Sequence, residues 1–290
     1  MSESKRRAFS QRLARRELIC APGVFDGISA RIADRMGFDA LYMTGYGVVA
    51  SHLGLPDAGI ATYSDMVARV ERIASLTATP LVADGDTGYG GLLNVQHTVR
   101  GYERAGAAAI QLEDQEFPKK CGHMLGRRVV PVADMVAKIR VACDARGDRD
   151  FKIIARTDAR TTLGLDEALR RGEAYAKAGA DVLFIESPES VAEMEAIGRA
   201  FDLPLVANMV EGGRTPILAA DELQRVGYRL AIFPALGFLA AGAALQNAYA
   251  GLRSRGSSVG VDVPLYPFQD FSRLMGFDGV TEFDNKYGEK

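Results

Sequence analysis

The chain has 290 residues, 48% of them hydrophobic, and its 35 basic and 37 acidic side chains leave a formal net charge of -2. This length allows a large core, built as one α/β barrel or as two smaller domains. Balanced charge without a long single-sign block gives no field that would gather nucleic acid, so we expect no nucleic-acid partner. No run approaches the roughly twenty apolar residues of a membrane helix, so we expect no membrane partner.

The N-terminal segment and the cysteines bear on the cellular compartment. Residues 1–17 are basic and helix-like but lack the apolar core of a secretory signal, and they include Glu3 and Glu17, which transit peptides usually avoid. We predict a folded N-terminal helix, with organelle targeting as the alternative. The three cysteines are Cys20, Cys121 and Cys143. Their wide spacing indicates neither a disulfide framework nor a thiolate zinc site, so we expect a cytoplasmic protein with reduced thiols.

Short apolar runs alternate with amphipathic, alanine-rich segments along the chain. The candidate strands are residues 18–24, 40–43, 80–83, 108–112, 152–155, 182–185, 205–207 and 229–233, and the helical patterns between them include 65–76, 94–105, 134–145, 166–178 and 191–201. Such alternation predicts parallel strands with right-handed crossovers. Eight strands favour a closed (β/α)8 TIM barrel over an open doubly wound sheet, for which a Gly-x-Gly-x-x-Gly would follow the first strand.

We predict a single domain over residues 1–290, with a C-terminal oligomerisation tail at 254–290. A helical pattern at 236–253 is followed by a Ser/Gly turn and then by the apolar stretch 264–275. Its aromatic residues are Tyr266, Phe268 and Phe271. This tail is too apolar to be a solvated extension and needs a partner surface.

Nearly every candidate strand ends in a polar residue or a glycine that could contribute to a site. These residues are Asp26, Thr44, Gly45, Asp84, Asp86, Glu113, Arg156, Asp158, Glu186 and Asn208. In a barrel the C-terminal ends of the strands converge on one mouth, where active sites lie. The pattern therefore predicts an active site there.

Carboxylates at this mouth indicate a metal ion. Asp84 and Asp86 alternate by two, so both can project past the strand end, and Gly85 between them allows close approach. Asp-Gly-Asp alone is also common in ordinary turns, but Glu113 closes the next strand. Three carboxylates near one mouth would repel unless neutralised, and Mg2+ or Mn2+ would neutralise them.

A thiol follows in Lys119-Lys120-Cys121-Gly122-His123, within a loop at about 115–130 that is longer than most βα connections. Long loops in compact domains tend to be lids. Cations and an imidazole beside a thiol favour thiolate and suit proton transfer, whereas a purely packing cysteine would have apolar neighbours. Arg156 could hold a carboxylate bidentately, or form a structural ion pair with Asp158 or Glu186.

The Lys-Lys-Cys-Gly-His motif, about 35 residues after Asp-Gly-Asp-Thr-Gly-Tyr-Gly at 84–90, closely resembles the isocitrate lyase and phosphoenolpyruvate mutase superfamily. The likeness is strongest to its short lyases, which cleave dimethylmalate or 2-methylisocitrate. The resemblance implies a TIM barrel, a small carboxylate substrate, and a homotetramer whose subunits exchange C-terminal helices.

The resemblance also implies residue roles. Asp86 would contact the metal directly, with Asp84 and Glu113 behind its waters and Asp57, otherwise a plain turn aspartate, near the same shell. The implied catalytic residues are Cys121 as general acid on a gating loop, Tyr42, Arg156, Glu186, His123 and Lys119. The implied substrate-binding residues are Thr44, Gly45, Tyr46, Arg156, Gly122, His123, Asn208, Glu211 and Gly212. The base stays open between Tyr42 and a metal-bound water. Thr44 and Tyr46 depart from the family's Tyr-x-Ser-Gly-Gly-Gly loop, which leaves the substrate's size and identity open.

The implied reaction is a retro-aldol or Claisen cleavage of a 2-hydroxy di- or tricarboxylate. A 2-alkylmalate such as 2,3-dimethylmalate would give a 2-oxo acid such as pyruvate plus a carboxylic acid. Glu211-Gly212-Gly213, where methylisocitrate lyases usually carry Glu-Phe-Gly, favours an alkylmalate over 2-methylisocitrate.

Three alternatives to a lyase remain. An oxaloacetate hydrolase or decarboxylase could share the site, although the hydrolases tend to carry serine where this chain has Ala235. A carboxyphosphonoenolpyruvate phosphonomutase has less use for the Cys-Gly-His acid. A barrel that only binds a metabolite would be expected to have lost Asp86, Cys121 or Arg156.

Overall fold

The computed structural model describes residues 2–122, 124 and 126–288. Its eight strands are β1 (Ile19–Val24), β2 (Leu41–Met43), β3 (Leu81–Asp84), β4 (Ala109–Glu113), β5 (Lys152–Thr157), β6 (Val182–Ile185), β7 (Val206–Asn208) and β8 (Leu230–Phe233). Each predicted strand is confirmed, with its ends moved by two residues at most. The strands are short and buried because helices cover their outer faces.

The strands form a parallel ring in the order β6-β5-β4-β3-β2-β1-β8-β7. β1 pairs with β8, with Ile19 opposite Leu230. β6 and β7 meet through a parallel bridge between Leu183 and Leu205, where Leu183 N donates to Pro204 O over 3.0 Å. The predicted TIM barrel is thus confirmed as a nearly closed barrel, and the carboxyl ends of its strands share one mouth.

The helices of the barrel are α1 (Ser2–Leu13), α2 (Gly27–Asp34), α3 (Gly45–Leu53), α4 (Tyr63–Leu76), α5 (Leu92–Arg104), α6 (Val132–Ala145), α7 (Arg160–Leu163), α8 (Leu165–Ala178), α9 (Val191–Ala200) and α10 (Ala220–Val226). Side-chain caps fix several of their starts. Thr62 and Asp65, for example, form a capping box that begins α4. The buried face of that helix presents Met66, Val70 and Ile73 to the barrel.

The predicted N-terminal helix is confirmed as α1, although it ends at Leu13 rather than residue 17. Its Phe9 and Leu13 belong to the same buried cluster as strand residues such as Ile19 and Leu230. Burying two such side chains stabilises the fold by several kcal/mol, at about 1.5 to 3 kcal/mol each. α1 is therefore part of the barrel's core.

The chain divides into two compact units at the Leu236–Gly237 boundary. The second unit contains most of α11 (Leu236–Arg255), together with α12 (Phe268–Leu274) and α13 (Phe277–Tyr287). The predicted tail, starting at residue 254, begins within the last turn of α11. No helix in the described part of the chain has both the length and the apolar character needed to cross a membrane.

Candidate active site at the barrel mouth

The polar residues predicted at the strand ends all lie at this mouth, and most of them are buried. Asp84, Glu113 and Asn208 are the last residues of β3, β4 and β7, Arg156 lies in β5, and Glu186 directly follows β6. Each of these five residues is at most 9% exposed. The mouth is therefore a desolvated polar cluster, in which charges must be paired or stabilised by a ligand.

Lys119 joins the loop at 115–130 to the acidic residues. Its Nζ lies 2.6 Å from Asp86 Oδ1 and also pairs with Asp57 Oδ1. Burial lowers the pKa of Lys119, but Asp86 and Asp57 outweigh it and leave that pKa well above its ordinary value. Burial raises the pKa of Asp86 even beside this ammonium. The structure thus places Lys119, predicted only as a catalytic residue, among the predicted metal ligands.

A relay of hydrogen bonds holds Asp84. Asp86 N and Gln111 Nε2 donate to Asp84 Oδ1 over 3.1 and 3.3 Å, and Tyr42 Oη donates to Gln111 Oε1 over 3.1 Å. Burial and the nearby Asp84 carboxylate raise the pKa of Tyr42 well above its ordinary value, which keeps this phenol protonated. Gln111 was missed by sequence reasoning, although a polar side chain inside a buried strand was a usable signal.

Gly45 lets the backbone at the start of α3 approach Asp84. A Cβ at this position would lie 2.6 Å from Asp84 Oδ2. Thr44 begins α3, and its hydroxyl accepts a hydrogen bond from Gly47 N over 3.4 Å. Tyr46 follows on the helix and is 39% exposed. Of these predicted substrate-binding residues, Thr44 and Gly45 thus lie buried beside the acidic group and Tyr46 lies nearer the surface.

Arg156 is surrounded by carboxylates. Its Nε and Nη2 donate to Asp158 over 3.0 and 2.8 Å, and Glu113 and Glu186 lie 3.2 and 3.4 Å from its guanidinium. Burial lowers the pKa of Arg156, but these carboxylates outweigh it and hold that pKa well above its ordinary value. Asn208 Nδ2 donates to Glu186 Oε2 over 3.0 Å. The structural ion pair considered from the sequence is therefore present.

The Cys121 segment reaches both sides of the mouth. Cys121 is half-buried, and its N donates to Asp57 O over 3.2 Å. The next residue, Gly122, lies so close to Arg156 that a Cβ there would be 2.4 Å from Nη2. Ser187 Oγ, which sequence reasoning missed, donates to Gly122 O over 3.0 Å. Cys121 is thereby held between the acidic group and the guanidinium.

The structure gives less information on three other predicted residues. His123, predicted as catalytic and substrate-binding, lies outside the described residues. Glu211 and Gly212 lie in the exposed segment after β7, where Gly212 has φ +72°. Their roles in substrate binding stay predictions.

Arg127 is a further residue that sequence reasoning missed. Its side chain is fully buried, pairs with Asp158 and donates to Thr161 Oγ1 and, over 3.5 Å, to Ser187 Oγ. Arg128, the next residue, pairs with Glu116 and has a side chain that is 76% exposed. Local sequence could not distinguish the two adjacent arginines, because the partners that bury Arg127 lie 31 to 60 residues further along the chain.

The charges at the mouth do not balance. The buried acidic residues are Asp84, Asp86, Glu113, Asp158 and Glu186, and the side chain of Asp57 is only 7% exposed. The buried cations that contact these carboxylates are Lys119, Arg127 and Arg156. Burial raises the pKa of Glu113 well above its ordinary value despite the neighbouring Arg156. Glu113 Oε1 accepts no hydrogen bond from any residue that the structure describes. Such an excess of desolvated oxygen ligands fits a hard divalent cation.

Cation binding would require a rearrangement. Within the described residues, no three acidic, histidine or cysteine side chains are already gathered as a metal centre. Lys119 forms an ion pair with Asp86, so a divalent ion would compete with this ammonium for the same carboxylate.

The fold and site define a TIM barrel whose mouth combines a cluster of buried carboxylates, a buried guanidinium and a cysteine on a loop. A family model described as phosphoenolpyruvate phosphomutase matches residues 9–253. The chain belongs to this family, within the phosphoenolpyruvate mutase and isocitrate lyase superfamily, and the resemblance found in the sequence is confirmed.

Known relatives agree with this assignment. The chain is 48% identical to the 2,3-dimethylmalate lyase of Eubacterium barkeri over 95% of each chain. It is 39% identical to a 2-methylisocitrate lyase of Aeropyrum pernix, covering 96% of this chain and 89% of that one. Among solved structures, oxaloacetate acetylhydrolase in complex with 3,3-difluorooxalacetate matches with a TM-score of 0.92 and 39% identity, over 100% of this chain and 98% of that one.

Proposed function

We propose that the protein is a carbon-carbon lyase, dependent on a divalent cation, that cleaves a 2-alkylmalate such as 2,3-dimethylmalate into a 2-oxo acid and a carboxylic acid. The observation that carries this proposal is the close approach of Gly122 to Arg156, because it places the residue next to Cys121 beside the guanidinium proposed to bind the substrate carboxylate. The 48% identical relative, named 2,3-dimethylmalate lyase, supports the choice of substrate.

Substrate binding relies on Arg156. Asp158 holds its Nε and Nη2 edge with two short hydrogen bonds, whereas Glu113 and Glu186 are more distant, at 3.2 and 3.4 Å. A substrate carboxylate can exchange for these weaker contacts while Asp158 keeps the guanidinium oriented. Asn208 Nδ2 donates to the same Glu186 oxygen, Oε2, that lies near Arg156, so it adds an amide donor next to this position.

Asp86, Asp84 and Glu113, with Asp57 nearby, would hold Mg2+ or Mn2+. When bound, such an ion lowers the pKa of a substrate hydroxyl and stabilises the oxygen of the 2-oxo acid product. Lys119 pairs with both Asp86 and Asp57, so it would keep Asp57 as a partner if the ion took its place at Asp86. Such an ion would supply positive charge that the buried carboxylates lack.

Proton transfers complete the cleavage. The hydroxyl loses its proton to a base, the carbon-carbon bond breaks, and the electron pair stays on the carbon next to the departing carboxylate. Cys121 donates its thiol proton to that carbon. Tyr42 is the residue candidate for the base. Burial and the Asp84 carboxylate raise the pKa of its phenol, so a cation near these carboxylates would help the phenol to lose its proton.

Product analysis across a substrate panel tests this function. We expect cleavage of 2,3-dimethylmalate, with release of pyruvate, at a higher kcat/KM than turnover of 2-methylisocitrate, isocitrate or oxaloacetate to their own products. Excess chelator should abolish turnover, and Mg2+ or Mn2+ should restore it. A preference for 2-methylisocitrate would change the substrate but keep the lyase. Oxalate and acetate formed from oxaloacetate alone would instead identify a hydrolase.

Replacing the thiol tests the general acid. Because serine is a far weaker acid, Cys121→Ser should lower kcat by about two orders of magnitude or more, while directly measured affinity for a dicarboxylate inhibitor changes little. Cys143→Ser is the matched control, since Cys143 is also half-buried but bonds to Gly179 O away from the mouth. Normal turnover of the Cys121 variant would contradict the proposed mechanism.

Two glycine variants test the cation pocket. In Gly45→Ala the new methyl group would meet Asp84 Oδ2 at 2.6 Å, so we expect affinity for Mn2+, measured by electron paramagnetic resonance, to fall by about tenfold or more. Gly91→Ala is the control, because a Cβ there meets nothing within 4 Å and its φ of -77° suits alanine. Equal Mn2+ affinity in the two variants would argue against a metal held by Asp84.

The protein is further proposed to be a homotetramer that exchanges C-terminal helices and to act in the cytoplasm, where its thiols stay reduced. Exposed apolar side chains on the C-terminal unit support the assembly. They are Leu239, Leu245, Tyr249 and Leu252 on α11 and Phe277, Val280, Phe283 and Tyr287 on α13. On α13 they recur at three- to four-residue spacing, which forms one helical face.

Truncation tests the assembly. Removing the chain from Pro264 onward should turn a tetramer into smaller or aggregated species, because the surface that the tail covers becomes exposed. Light scattering coupled to size exclusion measures the mass. A truncated protein that remains a well-behaved oligomer of unchanged subunit number would rule out helix exchange.

A further inference from the structure

Arg127 and Arg156 share one carboxylate. Asp158 Oδ1 accepts from Arg156 Nη2 over 2.8 Å and pairs with Arg127 Nη1, and the side chains of Asp158 and Arg127 are completely buried. We infer that Arg127 is a positioning residue for recognition of the substrate carboxylate, acting through Asp158 on Arg156. This inference rests on the proposed function and assigns a further residue to its substrate-binding step.

The charge balance explains why a second arginine is needed. Asp158 binds Arg156 bidentately, and such a pair has no net charge with which to attract an anion. Glu113 and Glu186 also face the guanidinium, so Arg156 without help lies in a negative environment. Arg127 adds a second positive charge at the same Asp158 oxygen, Oδ1. The group of three then carries a net positive charge, and with Glu113 and Glu186 included the formal charge around the guanidinium is -1 instead of -2. Arg127 thereby lowers the electrostatic cost of binding a substrate carboxylate at Arg156.

Arg127 also links this charge to the backbone of the Cys121 segment. Its Nη2 donates to Ser187 Oγ over 3.5 Å, and the same hydroxyl donates to Gly122 O over 3.0 Å. Gly122 in turn lies against Arg156 Nη2. One side chain therefore contacts both groups that define the carboxylate position, namely the partner of Arg156 and the hydroxyl that holds Gly122.

Three variants separate charge from packing. Arg127→Met removes the charge and keeps an apolar side chain, Arg127→Lys keeps the charge without the planar fork, and Arg128→Met removes the neighbouring exposed charge as a control. Affinity for oxalate, a small dicarboxylate, is measured by titration calorimetry with saturating Mg2+, and affinity for Mn2+ is measured in parallel. The kcat and KM on the best substrate are determined for each protein.

We expect Arg127→Met to weaken oxalate binding about tenfold or more and to raise KM, with affinity for Mn2+ unchanged within about twofold. Arg127→Lys should recover oxalate affinity to within about threefold of the parent, and Arg128→Met should match the parent. Parent-like oxalate affinity in Arg127→Met would overturn the inference even if stability or kcat falls. Equal weakening in the methionine and lysine variants would overturn it as well, because packing rather than charge would then decide.

A further variant tests the inference if Arg127→Met does not fold. Thr161→Val removes the hydroxyl that accepts from Arg127 Nη2 and leaves every charge in place, so oxalate binding should weaken by about two- to threefold. An unchanged oxalate affinity in this variant would contradict the inference. If the parent protein binds no oxalate, both the proposed function and this inference are contradicted. If the parent and all variants bind oxalate with equal affinity, only the role of Arg127 is contradicted.

Discussion

The excess of buried negative charge at the barrel mouth is the constraint on which the rest of the site depends. Burial raises the pKa values of Asp84, Asp86 and Glu113, because a desolvated carboxylate is costly to ionise. Lys119 and Arg156 relieve part of this cost through ion pairs. The deficit that remains supports the proposed binding of a divalent cation at the mouth.

The barrel provides this arrangement because parallel strands bring their carboxyl ends to one place. The free energy gained from the extensive apolar core offsets the cost of burying these charges. Close approach then depends on residues without side chains. Gly45 lies against Asp84 and Gly122 against Arg156, at separations that a Cβ would not tolerate. The glycines of the two loops are therefore as much a part of the site as the charged groups that they contact.

Sequence reasoning recovered the strands and the residues at their ends because both depend on local patterns. Asp84 and Glu113 directly end runs of buried apolar residues, and barrel geometry then brings them to one mouth. Arg127 could not be found in this way, since its burial depends on Asp158 and Ser187, which are distant in sequence. Lys119 was recognised by its motif, but its ion pair with Asp86 depends on the folded structure and could not be predicted from the spacing of the two residues in the sequence.

The same charge balance connects the steps of the proposed reaction. A dianionic substrate that entered without a metal would add repulsion to carboxylates that are already short of cations, and a metal that entered with Lys119 still on Asp86 would face a like charge. Movement of Lys119 away from Asp86 would also shift Cys121, because Lys119 lies two residues before Cys121 on the same segment. In the proposed reaction, binding of the cation, binding of the substrate carboxylate and placement of the acid would therefore depend on one another.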